Sequence, residues 1–141
     1  MKFVQAERRV SAPAEIVWQI LTSAERLVAL DAGITELTGE IAPDARLALM
    51  SEVAPGRVFK LRVVAFDPPR HMVWSGGMPL GLFTGRRQFT VGQGDTGCDL
   101  KMREEFTGVM SGLIWRTMPD LQPSMDRLAD AIKQEAEEMA R

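Results

Sequence analysis

The chain has 141 residues, 45% of them hydrophobic and 26% charged, with a net charge of −2. That length buries a real core as one globular domain, read here as residues 1–141, and the charge does not favour nucleic acid. No run nears the roughly 18 apolar residues of a membrane span. The charged residues Lys2, Glu7, Arg8 and Arg9 argue against a secretory signal. A single cysteine, Cys98, and a single histidine, His71, supply neither an internal disulfide nor a multi-ligand metal centre. A cytoplasmic location, no cofactor and no metal are therefore the expectations.

Residues 1–10 read as a charged opening strand. Ser11 can cap the helix that follows, Pro13 suits its first turn, and Ile16, Val17, Ile20 and Leu21 recur at helical spacing. A second short helix over residues 24–30 ends at Gly33. Two strands, 34–41 and 46–53, are joined at Ala42-Pro-Asp44, and Pro55-Gly56 is a turn. In the next strand Phe59, Leu61, Val63 and Ala65 alternate with Lys60 and Arg62. Asp67-Pro-Pro-Arg70 turns the chain into a strand over 71–76. Gly76-Gly-Met-Pro-Leu-Gly81 reads as a loop, and as an apolar, flexible lid. Residues 83–91 and 98–106 form a hairpin across 92–97. The last element is a long helix, 120–140, capped by Asp120. Its apolar stripe is Leu121, Met125, Leu128, Ile132, Ala136 and Met139. On its wet side the spacing pairs Asp130 with Lys133 and Glu137 with Arg141.

That order predicts an α+β, helix-grip architecture. A curved antiparallel sheet of about six or seven strands wraps a long C-terminal helix, with two short helices after the first strand. A sheet closed on a helix encloses space. Nine methionines and no tyrosine suit an adaptable apolar interior. Two uncharged stretches, 72–85 and 106–115, mix glycine with large apolar residues.

One pair stands out chemically. Phe83, Gly85, Arg87, Phe89 and Val91 share a strand face, as do Leu100, Met102, Glu104 and Phe106. Each set carries one charge, and the turn places Arg87 opposite or diagonal to Glu104. Two lone opposite charges on facing apolar strands should pair. Such a pair is either a structural ion pair or a polar anchor inside an apolar pocket. Motifs for a serine nucleophile or a phosphate-binding loop are absent.

Ser11-Ala-Pro-Ala-Glu-Ile-Val-Trp18, Phe66-Asp-Pro-Pro-Arg-His-Met-Val-Trp74 and Arg103-Glu-Glu-Phe-Thr-Gly108 together resemble the START/SRPBCC superfamily, the birch-pollen-allergen-like helix-grip proteins. The resemblance spans the whole chain. It is nearest to the polyketide cyclase/dehydrase-like branch, which is similar to the carbon-monoxide-dehydrogenase G-type proteins. It implies a fold and a binding cavity but no shared catalytic set.

Three functions follow as expectations. The first is binding of a small hydrophobic or amphipathic ligand, lipid- or polyketide-like, between sheet and helix. Its expected lining is Phe59, Leu61, Trp74, Phe89, Met102, Phe106, Met118, Leu121 and Met125, with Arg87 and Glu104 as polar anchors. The second is a cofactor-free cyclase or dehydratase using Glu104 as acid/base. Burial beside Phe106 and Met102 favours the neutral form of Glu104, and pairing with Arg87 the ionised form. The third is a protein-interaction module with a filled cavity. The expected partner is thus a small hydrophobic molecule, with no nucleic acid and no integral membrane segment. The oligomeric state is open, a homodimer included.

Overall fold

The computed structural model describes residues 2–141. In chain order the elements are β1 (Lys2–Val10), α1 (Ala14–Leu21), α2 (Ala24–Ala29), β2 (Ile34–Thr38), β3 (Arg46–Ser51) and β4 (Phe59–Asp67). They continue with β5 (His71–Met78), β6 (Phe83–Gln93), β7 (Cys98–Thr107), α3 (Ser111–Thr117) and α4 (Gln122–Met139). All seven strands pair antiparallel in one sheet, in the order β1-β7-β6-β5-β4-β3-β2. The sheet curls into a half-barrel around α4, so the fold is the α+β helix grip. No helix among the described residues is long and apolar enough to cross a membrane.

The grip rests on the stripe of α4. Met125, Leu128, Ala129, Ile132 and Ala136 are all buried, at steps of three and four, and α4 packs on β1, β7 and α1. Polar ties fix its register along β1. Arg8 Nε donates to Asp130 Oδ1 at 2.6 Å, and Gln122 Nε2 donates to the Gln5 carbonyl at 2.7 Å. At the far end Glu137 Oε2 accepts from the Ser11 backbone N–H at 2.9 Å and from Lys133 Nζ at 3.0 Å. Ser11 does not cap α1: the cap position is Pro13, without a side-chain cap bond. Lys133 pairs with Glu137 rather than Asp130, because Asp130 is taken by Arg8.

Three further departures from the sequence reading have local causes. Gly76, Gly77 and Met78 lie in strand, paired to Gly85, Thr84 and Phe83, so the expected lid shrinks to the tight turn Pro79–Gly81. A bulge between Val63 and Ala65 shifts the alternation of β4. Phe66 rather than Ala65 then meets the core, edge-on to Trp18 at 5.5 Å. The uncharged stretch after β7 holds a helix, α3, that apolar periodicity did not disclose. Asp120 still serves the start of α4, its Oδ1 accepting the Gln122 N–H at 3.0 Å.

Truncating Leu128 or Ile132 to alanine should destabilise the fold by about 2–5 kcal/mol in a urea melt, since both are buried in the stripe. A cost under about 1 kcal/mol for both would mean that α4 is only loosely docked. The Ser11 N–H and then Lys133 hold the Glu137 carboxyl below the ordinary carboxylate range. A depressed carboxyl adds stability above its unfolded value, and that stability is lost as pH falls through the folded value. The Glu137→Gln variant should therefore show a flatter acid limb than the wild type in urea midpoints below about pH 5. Parallel limbs would remove Glu137 from the acid response.

Candidate functional site

Cross-strand neighbours set out the concave face in rows. The first row is Ala6, Met102, Phe89, Met72 and Phe66, running from β1 to β4. It is packed solid: Met102, Phe89 and Met72 are fully enclosed. The second row is Val4, Glu104, Arg87, Trp74 and Val63. The third is Phe106, Gly85, Gly76, Leu61 and Leu47. Its middle positions carry no side chain, and there the sheet and α4 part.

A cavity of about 700 Å³ opens over the second and third rows. Phe59, Leu61, Trp74, Arg87, Glu104 and Phe106 border it from the sheet. Met118, Leu121 and Met125 border it from the helical side. Phe89 and Met102, also expected in the lining, lie in the closed first row instead. Their side chains share the concave face but sit one row too deep. Gly76, Gly77 and Gly85 are lining positions that the sequence reading missed, as is Ile114 of α3. Glycine in phase with Arg87 along β6 was the available signal for Gly85.

Gly76 and Gly85 differ in what they tolerate. A Cβ at Gly76 would fall 2.6 Å from the Lys60 carbonyl oxygen, so only glycine fits. A Cβ at Gly85 would meet the Phe106 ring and Glu104 Oε1 at 3.6–3.7 Å, ordinary contact, with the cavity beyond.

Arg87 and Glu104 stand directly opposite each other on the innermost lining row. Arg87 Nη2 donates to Glu104 Oε2 at 2.6 Å and Nε donates to the same oxygen at 3.2 Å. Glu104 Oε1 and Arg87 Nη1 have no hydrogen-bond partner among the described residues. The side chains of Arg87 and Glu104 are 23% and 20% exposed, so the pair faces the cavity rather than bulk water. Trp74, the next residue in the row, packs edge-on to Phe89 at 4.8 Å. Its indole Nε1–H is buried and also lacks a partner among the described residues. The floor of the cavity thus offers the Arg87 N–H donors and one carboxylate acceptor on otherwise apolar walls, the Trp74 N–H lying beneath its surface.

Other chemistry-bearing residues stand apart. Cys98, at the opposite end of the sheet, is fully buried, and burial pushes its thiol up, away from the reactive thiolate. His71 opens β5 beside Asp67, outside the lining. No group of three metal-binding side chains converges among the described residues.

A family model described as polyketide cyclase / dehydrase and lipid transport matches residues 1–137. The chain belongs to that family. No curated protein matches it in sequence. Among solved structures it is similar to protein MLL2253 from Mesorhizobium loti, with a TM-score of 0.74 at 17% identity, covering 95% of this chain and 96% of that one. It is similar to norcoclaurine synthase from Thalictrum flavum, solved with a transition-state analogue, with a TM-score of 0.72 at 18% identity, covering 99% and 96%. It is also similar to the di-domain ARO/CYC StfQ of the steffimycin biosynthetic pathway, with a TM-score of 0.72 at 15% identity. There it covers 98% of this chain and 52% of StfQ. At these identities the likeness is one of fold. Membership of that family suggests a ligand-binding or cyclase role.

Removing one partner of the pair should leave an unmatched charge at the cavity floor. Arg87→Met is expected to cost about 1–3 kcal/mol in chemical unfolding, the cavity-facing side softening the penalty of full burial. Arg87→Met combined with Glu104→Leu should regain most of that. A double variant as unstable as the single would show that the cost lies in lost packing.

Proposed function

We propose that the protein binds a small apolar or amphipathic molecule, lipid- or polyketide-like, between the sheet and α4. Arg87 and Glu104 hold its polar end. The observation that carries this reading is the cavity itself. Its volume of about 700 Å³ falls among small-molecule sites of roughly 300–1,000 Å³, apolar with a few convergent polar groups. The free Glu104 Oε1 suits a hydroxyl donor, and Arg87 Nη1 a carbonyl or carboxylate oxygen. The unfilled cavity supports this reading over that of an interaction module with a filled one.

A second reading, cyclase or dehydratase chemistry, is favoured by one feature. Glu104 Oε1 is an unpartnered carboxylate oxygen on an apolar floor, beside cationic donors that can stabilise a developing oxyanion. Carbon–carbon closure next to a carbonyl needs such a base and such donors around an oriented chain. Glu104→Gln separates the readings: a carrier keeps most of its affinity, and an enzyme of this type keeps binding but loses turnover.

Gly85→Leu tests the site with little risk to the fold, since its Cβ has room and its side chain would project into the cavity. The variant should melt within a few degrees of the wild type yet lose at least about tenfold in affinity for a fluorescent fatty-acid probe. Native mass spectrometry of the gently purified protein should show a retained small molecule in the wild type and none in Gly85→Leu. Equal probe affinity in both would overturn the cavity as the binding site.

A further inference from the structure

The cavity's exposed lining residues, Arg57, Val58, Lys60, Gly77, Met78, Thr117 and Pro119, mark its mouth at one end of the sheet. Beside that mouth the protein displays apolar side chains it does not use. Leu80, at the apex of the β5–β6 turn, is 97% exposed, and Val109, in the β7–α3 connection, is 87% exposed. Leu113 on α3 and Met78 are exposed with them. Scattered surface leucines need no explanation, but these share one rim.

Local geometry makes the display rigid. Leu80 sits at φ 61°, ψ 23°, a left-handed conformation that glycine or asparagine would adopt at lower cost. Neither backbone preference nor packing accounts for a leucine there. The two loops are pressed together backbone to backbone. A Cβ on Gly108 would lie 2.5 Å from the Leu82 carbonyl oxygen, and the Met110 N–H donates to that oxygen at 2.9 Å. Leu80 and Val109 thus project from one braced platform.

Charge supplies the second observation. Lys2, Arg57, Lys60, Arg86 and Arg116 are exposed at this end, and none is in an ion pair among the described residues. The carboxylates here are mostly committed: Glu52 to Arg127, Glu104 to Arg87 and Glu105 to Arg103. Asp31, Glu36 and Asp120 remain without a cation, and Asp120 accepts the Gln122 N–H. The opposite end carries Glu15, Glu25, Glu40, Asp95, Glu135 and Glu138 without an ion-pair partner among the described residues, against the unpaired cations Arg26, Arg46 and Arg141, in a chain whose net charge is −2. Unpaired cations therefore outnumber unpaired carboxylates at the cavity mouth, and the reverse holds at the other end.

We propose that this rim docks on an anionic lipid bilayer, with Leu80 and Val109 inserted among the lipids and the surrounding cations against the headgroups. The apolar groups stand out as convex tips. A protein partner would need matching pockets for them, whereas a bilayer needs none. Inserted apolar area and cation–headgroup attraction are the two terms that together hold a peripheral protein at a membrane. Docking there opens the cavity directly onto the lipid, so an apolar ligand passes between bilayer and cavity without crossing water. The inference does not rest on which ligand the cavity takes.

The test is co-sedimentation of the full chain with phosphatidylcholine vesicles, with and without phosphatidylglycerol. Binding should require the anionic lipid and weaken as salt is added. Leu80→Ser with Val109→Ser should cut partitioning at least about tenfold at an unchanged melting temperature. Arg86→Gln with Arg116→Gln should cut it about fivefold per charge. Neither pair touches the cavity lining, so fatty-acid-probe affinity in solution should stay at the wild-type value. That separates failure of the docking from failure of the binding site. No sedimentation with anionic vesicles at low salt, or serine variants that sediment like the wild type, would overturn the proposal. The first result would turn the rim over to a protein partner.

Discussion

The apolar stripe of α4 can be covered only where the sheet offers side chains to meet it, and the sheet offers them along half its length. In the first row Met102, Phe89 and Met72 fill the space between the layers, beside Leu128 and Ile132. Enclosed apolar side chains of this size contribute about 1.5–3 kcal/mol each, so this half holds the fold together. Two rows on, Gly85 and Gly76 withdraw that surface while the helix continues. The cavity is made by what the strands leave out, and α3 with the Pro119–Leu121 approach to α4 completes its wall.

A void of that size has thermodynamic consequences. At about 24 cal/mol per Å³, a dry apolar cavity of about 700 Å³ would cost on the order of 15 kcal/mol, as much as the whole stability of a typical domain. The space is therefore wetted or filled. The Arg87–Glu104 pair stands where the packed half ends. It admits water to the floor of a groove whose other walls are apolar, and so reconciles a stable first row with an unfilled third. Its unshared oxygen and N–H groups then face whatever replaces that water.

The fold was legible in the sequence because its strongest signals are periodic. The stripe from Leu121 to Met139, the alternation in β4 and the single charges on the β6 and β7 faces each report a buried side. Those charges gave the Arg87–Glu104 pairing through the hairpin alone. Position along the sheet was not legible. Met102 and Glu104 share a face, and only the register with β1 and β6 shows that one lies in the packed row and the other on the cavity floor. The glycines misled for a related reason. Gly76 and Gly77 read as loop by propensity, yet β6 supplies a partner for each, and Gly76 is required because the Lys60 carbonyl approaches so closely. The helix α3 was missed because its window lacks a polar face to contrast with an apolar one.

The placement of charge also gives the proposed site a direction. Of the ionic groups that border the cavity, Arg87 and Glu104 lie at its floor, while Arg57 and Lys60 are exposed at its mouth. The walls between are Phe59, Leu61, Phe106 and Met118. An amphipathic molecule that enters polar end first meets donors and an acceptor at the floor, and its apolar remainder lies along those walls. Entering in reverse, it would leave Glu104 Oε1 and Arg87 Nη1 without a ligand partner at the floor and set its polar end at the mouth, beside Arg57 and Lys60. A polar group left unmatched at the floor costs about 1–3 kcal/mol, whereas a polar end at the mouth meets water whether bound or free, so the floor groups favour the first orientation. Its tail then ends near Val58 and Met78, beside Leu80 and Val109, so the apolar path of the cavity runs on into the apolar rim.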